Sequence, residues 1–119
     1  MSDAHDLDRS NLVYHEAQDR MALLPNYYGW IAKRFQDCVR GTVLELGCGA
    51  GMVLDHYLPR CERVIAVDVN QELLTKLQAR FPAHKVQARQ ADLRGDWHEL
   101  ADVKADVAIA LDVVEHFED

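Results

Sequence analysis

Basic residues are scarce: thirteen Lys and Arg stand against twenty Asp and Glu, a formal charge of −7 over 119 residues. The deficit is concentrated at one end. Residues 89–119 hold nine acids (Asp92, Asp96, Glu99, Asp102, Asp106, Asp112, Glu115, Glu118, Asp119) against three bases (Arg89, Arg94, Lys104), while the first 88 residues are close to neutral. A protein that grips nucleic acid by its phosphates needs a basic face, and an anionic membrane surface asks for the same. Neither partner is expected. Cysteine is limited to Cys38, Cys48 and Cys61, widely spaced and without a Cys-x-x-Cys pair. A disulfide framework and a thiolate zinc site are both poorly supported by that pattern, and no metal site is expected. Apolar runs stay far below the roughly 20 residues that span a bilayer. The polar, acidic start Met1-Ser-Asp-Ala-His-Asp is unlike a signal peptide. A reduced, cytoplasmic setting is the simplest expectation. No repeat, low-complexity tract or Pro/Gly-rich linker divides the chain. With 49% apolar and 28% charged residues, it reads as one globular domain over 1–119, frayed across residues 1–10.

What is present is an alternation of element types. From Asn11 to about Arg40 the pattern is helical, interrupted at Leu24-Pro25-Asn26. Pro25 should end a first helix near Leu23, and Asn26 should cap a second one carrying Tyr27, Trp30, Ile31 and Phe35. Thr42–Leu46 then reads as a short buried strand, followed by the cluster Gly47-Cys-Gly-Ala-Gly51 and a helix over Met52–Leu58 closed by Pro59. Val64–Val67 is apolar throughout and expected to be covered on both faces. Asn70 can cap a helix with the stripe Leu73, Leu74, Leu77 and Phe81. Lys85–Arg89 is a weaker, edge-like strand, Ala91–Asp102 a loop or loose helix, Val107–Leu111 another buried strand, and Val113–Phe117 the start of a helix. Strands and helices at this spacing predict an α/β fold, a Rossmann-like doubly wound parallel sheet with helices on both faces.

The strongest chemical signal is Val43-Leu-Glu-Leu-Gly-Cys-Gly-Ala-Gly51. Alternate glycines after a strand allow a tight turn and a close approach of backbone to ligand, and a following helix points free N–H groups at an anionic group. A dinucleotide fingerprint wants G-x-G-x-x-G/A. Here its sixth position is Met52, and Glu45 sits just before the turn, which weakens the nicotinamide reading.

Glu45-Leu-Gly-Cys-Gly-Ala-Gly51 resembles the first motif of class I S-adenosylmethionine-dependent methyltransferases. Three further positions agree in order and approximate spacing: Asp68 at the end of the second strand, Ala91-Asp92-Leu93 after the third, and Asp106–His116, where a strand runs into Glu115-His116. The Tyr27–Trp30 segment resembles small bacterial members, some of them fused to glycosyltransferases. The resemblance implies S-adenosylmethionine as cofactor, with Gly47, Cys48 and Gly49 lining its methionine moiety. The helix starting near Gly51 would favour the carboxylate, and Glu45 would attract the ammonium. Asp68 would accept both ribose hydroxyls, since a carboxylate offers two oxygens to a vicinal diol. Val69 would pack on the adenine face, Asp92 would accept from the adenine amino group, and the Leu93 backbone would meet the ring edge. Asp112 completes this cofactor-binding set. His116 is a candidate acceptor-side base, and Asp112, Glu115 and His116 only loosely match the family's E-x-x-E-H metal cluster.

The expected function is methyl transfer to a small-molecule or glycolipid-type acceptor; the alternative is a non-catalytic cofactor-binding fragment or interaction module. The strand pattern ends after a fourth strand, where a doubly wound sheet would continue. An exposed fourth-strand edge is therefore expected to self-associate or to take strands from a further C-terminal segment.

Overall fold

The computed structural model describes residues 25–95 and 97–111. Helix α1 spans Pro25–Lys33, and a 3-10 turn follows at Gln36–Cys38. Strand β1 is Thr42–Leu46, helix α2 Leu54–Tyr57, β2 Arg63–Asp68, helix α3 Gln71–Arg80, β3 Val86–Gln90 and β4 Val107–Ala110. All pairings are parallel and the order is β3-β2-β1-β4. The chain moves outward from β1 through β2 to β3, then returns to lie on the other side of β1. That reversal makes the boundary between β1 and β4 the topological switch point of a doubly wound sheet.

The sheet is central because its middle strands have little polarity to expose. In β2, only Arg63 reaches solvent, and Val64 through Asp68 are buried. On one face Val43, Val64, Ala66, Val86 and Ile109 pack with Leu54 and Tyr57 of α2 and Leu74 and Leu77 of α3. On the other, Leu46, Ile65 and Val67 are covered by Ala91 and Leu100, with Leu44, Leu93 and Val103 at the margin. Helices α2 and α3 thus share one face. The opposite face, expected to carry a helix, is covered by the segment 91–103 with its 3-10 turn Trp97–Leu100.

Several expectations change. Helix α1 includes Pro25 and Asn26, so Asn26 is inside the helix rather than its cap; Pro tolerates a first turn because its missing N–H has no intrahelical partner there. Phe35 lies beyond the end of α1. The helix after the glycines is a single turn, Leu54–Tyr57, passing directly into the 3-10 turn Leu58–Arg60 that contains Pro59. β3 begins one residue later than expected and is an edge strand among the described residues. β4 is not uniformly buried: Ile109 is covered, Val107 partly, and Ala108 and Ala110 are exposed, since β4 flanks β1 on one side only among the described elements. The first helix expected before Leu23, the frayed start and the helix from Val113 fall outside the described residues.

Asn70 caps α3 as expected. Its side-chain oxygen accepts from the Leu73 N–H at 3.2 Å, and Leu73, Leu74 and Leu77 form the buried stripe. Losing a cap of this kind costs about 1 kcal/mol. Asn70→Ala should therefore lower the urea midpoint by a matching amount at unchanged m-value, and an unaltered midpoint would show that the cap carries no stability.

Candidate functional site

A parallel sheet brings the carboxyl ends of all its strands to one edge. Here that edge gathers Glu45 and the glycine loop after β1, Asp68 and Val69 after β2, and Asp92 and Leu93 after β3. Gly47, Gly49 and Gly51 have φ of 73°, 56° and 85°. That left-handed region is costly for residues bearing a Cβ, which explains the spacing of the motif. The loop folds back on β2: the N–H groups of Gly47 and Cys48 donate to the Val67 carbonyl at 2.8 and 3.0 Å. A Cβ at Gly51 would lie 2.5 Å from Leu77 Cδ1, so glycine is needed there for room as well as conformation.

Asp68 is 5% exposed and fully engaged with backbone. Its Oδ2 accepts from the Gly49 N–H and its Oδ1 from the Asn70 N–H, each at 2.9 Å. Each carboxylate oxygen has a second lone pair, so the group can still accept from a diol. Val69 beside it is 54% exposed. Asp92 stands apart: it is exposed and accepts from the Arg94 N–H at 2.9 Å and from Arg94 Nε at 3.3 Å. These bonds, the backbone one foremost, hold its carboxyl below the usual carboxylate range. Leu93 packs on the second-face core, and its carbonyl accepts from Trp97 Nε1 at 2.8 Å.

Glu45 is 4% exposed, and its Oε1 accepts from the Tyr57 hydroxyl at 2.6 Å. Burial pushes its carboxyl from 4.5 to about 7, with Tyr57 pulling it down and Asp68 adding to the rise. Cys48 is also buried, and burial with the Glu45 and Asp68 charges drives its thiol far above its ordinary range, leaving it without nucleophilic character. Cys38, Cys48 and Cys61 are all free.

The helix-dipole part of the expectation fails. Two residues, Met52 and Val53, separate Gly51 from Leu54, and α2 is a single turn without a side-chain cap, so few aligned peptide dipoles face the loop. The sequence reading missed Tyr57, Trp97 (49% exposed) and Arg80. The last donates from Nη1 to the Ala50 carbonyl at 2.6 Å and from Nη2 to Asp55. A signal for Tyr57 was there: a tyrosine on the apolar face of a helix needs a partner for its hydroxyl, as does an acid in a buried strand. Asp112 and His116 lie outside the described residues.

Two buried acids under the loop suit a cationic ligand group, such as an ammonium or a sulfonium, and oppose a pyrophosphate. With the spare lone pairs of one of them, Asp68, and the exposed Val69 beside it, the donor set fits S-adenosylmethionine.

Comparison with known proteins gives one family by two routes, and the fold by a third. A methyltransferase-domain family model matches residues 44–119. A probable S-adenosylmethionine-dependent methyltransferase of Mycobacterium tuberculosis strain H37Rv is 35% identical over 83 residues, 69% of this chain and 28% of that protein. Ribosomal RNA small subunit methyltransferase A of Koribacter versatilis is 33% identical over 64 residues, 53% of this chain and 22% of that protein. Among solved structures, the methyltransferase domain of bacterial CtHen1-C superposes with a TM-score of 0.62 at 23% identity, covering 81% of this chain and 53% of that one; this likeness concerns the fold. The chain therefore spans less than a third of the length of these curated relatives.

The Glu45 shift has a consequence for stability. Between pH 4.5 and about 7 the folded state keeps a proton that the unfolded chain has released, so stability falls as pH rises through that window, and the deficit is complete above it. Glu45→Gln keeps an acceptor for Tyr57 and carries no charge. Urea unfolding should find this variant more stable than the parent by about 3 kcal/mol at pH 8, with the gap largely closed at pH 5. A gap independent of pH would show that Glu45 is not a strained acid.

Proposed function

The chain belongs to the class I S-adenosylmethionine-dependent methyltransferase family, and we propose that the protein carries a methyl group to a small-molecule or glycolipid-type acceptor. When bound, S-adenosylmethionine supplies an activated methyl carbon on a sulfonium, open to in-line displacement by an acceptor lone pair. The chain's part is to bind, orient and exclude water. Gly47, Cys48 and Gly49 line the methionine moiety through backbone and Gly51 closes the loop, Glu45 faces the ammonium, and Asp68 takes the ribose hydroxyls. Val69 covers one face of the adenine, with Asp92 and the Leu93 backbone at its edge. To accept from the adenine amino group, Asp92 has to share its oxygens with Arg94. Asp112 completes the set, and His116 is the candidate acceptor-side base.

The observation that carries this reading is the convergence of Asp68, the positive-φ loop and exposed Val69 on one edge of the sheet. The net charge of −7 supports a small or glycolipid acceptor over RNA, since phosphate binding needs basic surface. Among the described residues no helix is long and apolar enough to cross a membrane. Free thiols at all three cysteines accord with a reducing, cytoplasmic setting.

Calorimetry with S-adenosylmethionine tests the site. Asp68→Ala should weaken binding by about tenfold or more, because a hydrogen bond to a charged group contributes roughly 1.5–3 kcal/mol; unchanged affinity removes Asp68 from the site. The acceptor class is tested by incubating the protein and methyl-labelled cofactor with a fractionated cell extract. Label should enter the small-molecule or lipid fraction, and label confined to RNA overturns the acceptor assignment.

A further inference from the structure

The Tyr57 hydroxyl has no packing role that a phenyl ring could not fill. The side chain is 0% exposed, wedged in the core of the helical face, with its ring edge-on to Phe35 at 5.9 Å between centroids. What the hydroxyl adds is one bond, from α2 across to Glu45 at the last residue but one of β1. The other groups around Glu45 do not neutralise it. From β2 comes Asp68, whose charge adds to the rise at Glu45, and from the loop the Cys48 thiol, which stays protonated; its register neighbours on β2 and β4 are Ala66 and Ile109. Among the described residues, no Lys or Arg forms an ion pair with it. The acid immediately before the glycine loop is thus held by a neutral donor and left with its charge uncompensated.

We propose that Tyr57 is a positioning residue for cofactor binding, its hydroxyl holding the Glu45 carboxyl group in place beside the loop for the cofactor's cationic amino group. This rests on the reading of the site given above. A neutral donor suits the task better than a cation. Arg or Lys at this point would stabilise the carboxylate fully and compete with the ligand for it, whereas a hydroxyl stabilises it partly and leaves the remaining attraction for the incoming ammonium. Glu45 in the free protein titrates near 7, with the Tyr57 bond lowering it. Removing the bond therefore leaves more of the acid protonated at any pH below its midpoint, and binding must then release that proton.

The test is the ratio of S-adenosylmethionine dissociation constants for Tyr57→Phe and the parent protein, measured by calorimetry from pH 6 to pH 9. The ratio cancels titration of the ligand's own amino group. If Tyr57 acts through Glu45, the variant binds about tenfold more weakly at pH 6, the effect expected for a hydrogen bond to a charged acceptor, and converges on the parent by pH 9. A packing defect gives a ratio that does not change with pH, and that result overturns the proposal, as does a ratio near one throughout. Should Tyr57→Phe not fold, parent protein carrying 3-fluorotyrosine serves instead. Its more acidic hydroxyl must shift the pH dependence of affinity toward acid, and an unmoved profile overturns the proposal. Absence of binding by the parent protein sinks the reading of the site and this inference together, whereas parent binding with an unmoved ratio sinks the inference alone.

Discussion

The Asp68 carboxylate ties together the carboxyl ends of β1 and β2. One oxygen receives the Gly49 N–H from the loop after β1, and the other the Asn70 N–H at the start of α3. The loop is further tied to β2 through the Val67 carbonyl, and Asn70 in turn caps α3. A buried carboxylate without such partners would be untenable, so satisfying this one acid fixes the loop, the cap and the direction in which the next helix leaves the sheet. The proposed ligand site and the fold's first βαβ unit share the same atoms.

Burying Glu45 beside Asp68 raises the local negative potential in a region with little solvent to damp it. Its effects differ by group. The Cys48 thiol is driven out of reach of ionisation, which fits a loop residue that contributes backbone rather than chemistry. Burial raises the Glu45 carboxyl to about 7, and burial together with the adjoining carboxylate keeps the Tyr57 hydroxyl protonated, so that it donates to Glu45. A site of this character favours positive ligand groups through its field as well as through specific bonds.

Features set by local backbone chemistry were legible in the sequence. The strand over Thr42–Leu46, the apolar Val64–Val67 run, the alternate glycines and the Asp68-Val69-Asn70 junction all express constraints within a few residues, and the structure has them where expected. Helix α2 is shorter than the sequence suggests because Met52 and Val53 belong to the turn leaving Gly51 and the helix passes into a 3-10 turn after Tyr57. The cover on the second face went unread because Leu93, Leu100 and Val103 follow neither a helical nor a strand period. Glu45 was recognised for its place in a motif, while its partner, twelve residues on, was not. Pairings between a strand and the helix after it depend on how tightly the intervening loop folds back, which no periodicity encodes.

Helix α3 reaches the glycine loop from behind. Arg80 holds the Ala50 carbonyl and Asp55, and Leu77 occupies the space that a side chain at Gly51 would claim. The loop and this helix are consequently one inherited unit, although some thirty residues separate them in the chain. Moving the glycine motif into another scaffold without α3 would carry over the letters and lose the brace that gives them their shape. Conversely, drift at Leu77 or Arg80 would alter how the loop meets a ligand that neither residue needs to touch.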